Sequence, residues 1–271
     1  METILFKLAL VLCAIGTAGY LLALLFKKVA PAEVSTWILV IAVVALTINL
    51  FLSLHNSAGD VNIGSREFFS FCAWVTVIIY LVFQMKTKTR VLGAFIAPVI
   101  LLLLVVAAGQ EEGKSLVPEG MRNWLTFMHL VLVIAGEALF VLASFAGAMF
   151  IIQNGLLKNK KLSRMSRLLP ALHDLDRINH LGLLWGFPVL TLGIFAGVVF
   201  AGFTWDAGWT KDPKIIWTFA VWVLYGFLLH QRAAIGWKGI RMAVLSCIVF
   251  ILFLLSYAGV KICFFTLHDF I

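Results

Sequence analysis

The chain has 271 residues, 62% of them hydrophobic and only 13% charged, with a mean hydropathy of +1.04. A water-soluble domain carries about a quarter charged residues, so this composition excludes one and specifies a polytopic membrane protein. The net charge of +8 is clustered between apolar runs, which bears on loop orientation, and no nucleic-acid-binding motif accompanies it.

Runs long enough to cross a hydrocarbon layer about 30 Å thick lie at 3–25, 36–56, 67–84, 91–109, 124–153, 181–203, 215–231 and 241–263. The expected fold is all-α, a polytopic membrane bundle of about eight transmembrane helices in a single integral membrane domain, 1–271. Four helices fall in 1–110 and the rest in 124–271. The third and fourth runs are short, and the fifth is long enough to project beyond the bilayer. The first run lacks a basic n-region and a convincing cleavage site, so it reads as a retained span rather than a signal peptide. Cys13, Cys72, Cys247 and Cys263 are scattered through apolar runs with no CxxC. That argues against a zinc site or a thiol relay and for small packing residues.

The loops set the orientation. Lys27 and Lys28 follow the first run, Lys86, Lys88 and Arg90 the third, Lys158 to Arg177 the fifth, and Arg232, Lys238 and Arg241 the seventh. The alternate loops hold Asp60, Glu67, Glu111, Glu112, Glu119, Asp206 and Asp212 against fewer cations. The positive-inside rule places the first set in the cytoplasm without exception, so both termini are extracytoplasmic. In the largest cytoplasmic segment, Arg164, Arg167, Leu168 and Leu172 suggest a short amphipathic helix on the basic inner surface.

The stretch 205–232 concentrates the chemistry. Trp205, Trp209, Trp217 and Trp222 flank the polar knot Asp212-Pro213-Lys214, and an apolar run follows that closes at His230. Pro213 suits a helix start. Interfacial placement explains Trp124, Trp185 and Trp237, but Trp205 and Trp209 stand in a polar loop with two aspartates. His129, near the outer end of the fifth run, and His268, beyond the eighth, share the outer face with this loop. Two neutral imidazoles from different helices can hold haem iron from both sides, and indole rings suit the porphyrin plane. Taken singly, His129 is equally a hydrogen-bonded histidine at a helix end, and His268 a solvated tail residue. His230 sits at the cytoplasmic end of its run, whereas His55 ends the second run near the outer surface, so the two differ in depth. His173 and His180 suit a cytoplasmic surface role. Glu137 is the one acid deep in a run and so a functional candidate, with a hydrogen-bonded packing role as its alternative.

These residues resemble the cytochrome c assembly family, the CcsA, ResC and CcmC membrane proteins with a tryptophan-rich haem-handling loop, together with their HemX-like relatives. The family loop reads approximately WGxxWxWDPKExW, and residues 205–217 here read WDAGWTKDPKIIW. GFPVLTLGIFAG at 186–197, LHQR at 229–232, GWKG at 236–239 and the terminal LHDF extend the likeness from about Trp124 to the C-terminus. Lys211 replaces a family tryptophan and Ile215 a glutamate.

The resemblance implies non-covalent haem b bound outside the membrane between His129 and His268, over Trp205, Trp209 and Asp212, and presented to apocytochrome c. It assigns His230 to a second, membrane-embedded haem, for which His55 is the nearest candidate partner. It implies a ResB-like membrane partner that receives the apocytochrome, and a place in the lipid bilayer of a bacterial inner membrane. Whether the chain forms part of a haem-attachment synthase stays open. A HemX-like protein that controls an enzyme of tetrapyrrole synthesis through residues 158–180 is the alternative reading.

Overall fold

The computed structural model describes residues 2–26, 28–56, 64–87, 89–110, 124–159, 169–204 and 207–263. Among them are eight α-helices: α1 (Glu2–Phe26), α2 (Ala30–Asn56), α3 (Ser65–Thr87), α4 (Gly93–Ala108), α5 (Trp124–Lys158), α6 (Leu172–Thr204), α7 (Pro213–Ala233) and α8 (Ile240–Cys263). Two short 3-10 turns, Arg90–Leu92 and Ala207–Lys211, precede α4 and α7. Seven helices are long and apolar enough to cross a membrane, and α8 adds an apolar helical stretch over Ile240–Ser256. The chain is a multi-pass membrane protein.

The apolar runs locate the helices well, and the largest difference is at the start of α6. α6 starts at Leu172, nine residues ahead of its apolar run. Ala171 O accepts from Asp174 N (3.0 Å) and Leu175 N (3.1 Å), which opens the helix just after Pro170. Asp174 in the first turn favours the positive end of the helix dipole, and Asp176 is neutralised by a partner on α7. The expected amphipathic helix falls largely on residues 160–168, outside the described residues, and its Leu172 opens α6 instead.

Close Cα approaches divide the chain into two units, 1–116 with 152–175, and 117–151 with 176–271. In the first, α1 packs on α2 and α4, and α3 on α4. A polar network ties three of these helices: Tyr80 donates to the Tyr20 hydroxyl (3.0 Å), Tyr20 lies 2.8 Å from Thr36 Oγ1, and Gln84 Nε2 donates to the same oxygen (2.8 Å). Lipid offers these groups no hydrogen bonds, so each must be met within the protein. The outward faces stay apolar, with Ile4, Val11, Trp37, Ile41 and Phe51 exposed.

In the second unit Phe140 of α5 stacks on Tyr225 of α7 at 3.6 Å and 5°, among Ala143, Leu183, Leu228 and Met242. Asn179 of α6 donates both to Ala143 O (2.8 Å) and to Ser246 Oγ (2.7 Å) of α8. Small residues bring α5 and α6 together, as is usual where lipid supplies no hydrophobic drive. A Cβ on Gly182 would lie 2.8 Å from both Ala143 Cβ and Leu139 O. Gly182→Ala should therefore destabilise by about 1–3 kcal/mol through overpacking, read as a lower melting temperature in detergent. Gly155→Ala, where a Cβ meets nothing within 4 Å, should be neutral or slightly stabilising, because alanine is the better helix former.

Candidate functional site

The start of α7 is built by its own loop. The 3-10 turn over Ala207–Lys211 brings Asp212 N to donate to Trp209 O (3.1 Å). Asp212, only 5% exposed, then caps α7: its Oδ1 accepts from Lys214 N (2.8 Å) and Ile215 N (3.4 Å), with Pro213 in the first turn. Such a cap is worth about 1 kcal/mol. Asp212 thus orients the loop relative to the helix, and Trp209 is half-buried beside it. Trp222 points into the second unit, where Nε1 donates to Thr191 Oγ1 (2.8 Å) and the ring stacks on Phe187 and Phe219. Trp217 is exposed. Trp205 and His268 lie outside the described residues.

His129 is half-buried in the second turn of α5. Its Nδ1 lies 2.8 Å from the backbone carbonyl oxygen of Gly193 on α6. A carbonyl oxygen can only accept, so Nδ1 carries the proton and donates. The lone pair is then on Nε2, which has no hydrogen-bond partner among the described residues. That is the state an axial ligand needs, with the distal nitrogen free and the ring held from behind. His129 is also within electrostatic reach of Lys214, so the start of α5 and the capped start of α7 share one neighbourhood. Glu137, two turns further along α5, is within electrostatic reach of Lys214 and Tyr225.

The other described histidines lie on other helices. His230 is exposed in the last turn of α7, in line with the exposed Val223 and Phe227 on the same helical face. His55 is exposed at the end of α2 in the first unit, stacked on Phe51 at 6.2 Å. His173 is exposed, with Nδ1 3.6 Å from Asp174 Oδ1. His180 is half-buried, and its Nδ1 has no hydrogen-bond partner among the described residues.

Two groups in this unit escape sequence reasoning. Gly193 supplies the acceptor for His129, and Asp176 pairs with Arg232 through two hydrogen bonds (2.6 and 2.8 Å) while accepting from Gly239 N (2.8 Å). The signal for the first was present in GFPVLTLGIFAG, whose Gly193 and Gly197 recur at a helical spacing of four.

Comparison with known proteins bears on the whole arrangement. The family described as Cytochrome C assembly protein matches residues 63–268. The chain is 30% identical over 212 residues to a protein of Chlamydomonas reinhardtii named cytochrome c biogenesis protein CcsA, covering 75% of this chain and 59% of that one. Proteins of the same name match from Chlorella vulgaris (27% over 262 residues, 84% and 83% covered) and Prochlorococcus marinus (26% over 232 residues, 75% and 73% covered). The chain thus spans three-fifths of the length of the Chlamydomonas relative and more of the other two. With a family match over most of its length, from α3 to α8 and so across His129, the capped loop and His230, this chain belongs to the cytochrome c assembly protein family.

Proposed function

We propose that this protein handles haem during cytochrome c biogenesis, holding non-covalent haem b at the extracytoplasmic face of a bacterial cytoplasmic membrane and presenting it to apocytochrome c. The observation that carries the reading is His129, whose Nδ1–H is committed to Gly193 O and whose Nε2 is left free, in a member of this family. In this reading His268 would be the second residue to hold the haem, and Trp205 and Trp209 would offer it flat apolar surface. Asp212 contributes indirectly, by setting how the loop enters α7. The protein's part is ligation and orientation, so that the vinyl groups of the cargo meet the apocytochrome thiols.

His230 fits a second haem whose other ligand comes from elsewhere. It stands exposed on an apolar stripe of α7 with Val223 and Phe227, and within a membrane a polar group on such a stripe is costly unless a partner covers it. A ResB-like membrane partner would supply that cover.

The test is the absorption spectrum of the protein purified after expression with ample haem. The expected result is a low-spin, bis-histidine spectrum that collapses in His268→Ala. A colourless wild-type preparation overturns the proposal. So does co-purification of a soluble tetrapyrrole enzyme with colourless protein, the outcome a HemX-like regulator would give.

A further inference from the structure

Behind His129 the surface of α6 is cut away. Gly193 and Gly197 lie one turn apart on the same face of that helix. Gly193 gives the carbonyl that accepts from Nδ1 at 2.8 Å. At Gly193 the two backbones are in close approach, since a Cβ would lie 2.9 Å from both Val133 Cγ2 and Val133 N. At Gly197 the space a side chain would fill is taken by the imidazole itself. A Cβ there would lie 2.6 Å from His129 Nδ1, 2.7 Å from Cε1 and 3.4 Å from Cγ, and these are its three nearest neighbours. Contacts under 3.0 Å are essentially never tolerated, and the ring edge is stiffer than a flexible chain end.

We propose that Gly193 and Gly197 form a slot in α6 that fixes the orientation and tautomer of His129, which makes Gly197 a positioning residue of the haem site. The inference rests on the proposed haem role of His129. The carbonyl selects which nitrogen holds the proton, and the missing side chain lets the ring lie flat enough to reach that carbonyl. Together they aim Nε2 away from α6. Groups that orient a ligating histidine in this way are worth about 10–100-fold in affinity.

The test is Gly197→Ala in the full-length protein, titrated with haem. Expected are a roughly 10–100-fold weaker affinity and a shift from low-spin to high-spin absorption that added imidazole reverses. Gly202→Ala on the same helix, where a Cβ meets nothing within 4 Å, should leave the spectrum unchanged. The second variant is His129→Gly with Gly197→Ala. Since the atoms nearest the new methyl belong to His129, removing that ring removes the clash. The double variant with imidazole should then bind haem as well as His129→Gly with imidazole alone.

Equal loss of haem in both backgrounds would make Gly197 merely structural and overturn the inference. A Gly197→Ala spectrum identical to that of a haem-loaded wild type would also overturn it, leaving the haem role of His129 intact. A wild type that binds no haem overturns both.

Discussion

His129→Ala is expected to weaken haem binding by more than about 100-fold, because changes to groups that merely orient a ligating histidine already cost about 10–100-fold. The variant removes Nε2, the nitrogen left free by the Nδ1–Gly193 hydrogen bond. It also deletes that bond, a net loss of only about 1 kcal/mol, so the fold should survive. The two consequences separate by measurement. Haem titration of the purified variant should show loss of the low-spin spectrum, while its melting temperature in detergent drops only slightly. Imidazole should restore low-spin absorption in part. A variant that keeps wild-type affinity and spectrum would remove His129 from the site, and the proposed function with it.

Asp176→Ala is expected to destabilise the protein by about 3 kcal/mol, at the lower end of the range for breaking a buried ion pair. Arg232 is 8% exposed at its side chain and Asp176 19%, so removing the carboxylate strands a guanidinium with little access to water. It also deprives Gly239 N of its acceptor, at a turn where Gly239 has φ of +67°. The pair links the start of α6 to the end of α7, and through Gly239 to the turn that leads into α8. The readout is the melting temperature in detergent and the amount of protein recovered from membranes. The double variant Asp176→Leu, Arg232→Leu tests the cause, because replacing both charges by apolar groups is commonly neutral or stabilising. It should melt above the single Asp176→Ala variant. Equal melting of Asp176→Ala and wild type would show that the pair contributes nothing.

Helix by helix, the spans were legible because membrane crossing depends on local composition and length alone. A run of about twenty apolar residues must form a helix in lipid, since no other open structure satisfies its backbone. The start of α6 was the exception. The helix there includes His173, Asp174, Asp176, Arg177 and His180, and hydropathy cannot register a polar turn whose charge is met by Arg232, 56 residues away. The helix start at Pro213 was legible, but the part Asp212 plays as its N-cap was not, since one short acidic side chain suits a cap or a haem contact alike.

The sequence by itself determined the membrane class, the alternation of basic and acidic loops, and which imidazoles were available as ligands. All of these are properties of single segments. Only the tertiary structure decided how His129 is held. Its tautomer, its orientation and the clearance around its ring come from the register of α5 against α6, through a carbonyl 64 residues away and a glycine that leaves room for the ring. Such a register is set by close packing of small residues along two helices at once, and no single stretch of chain carries that information.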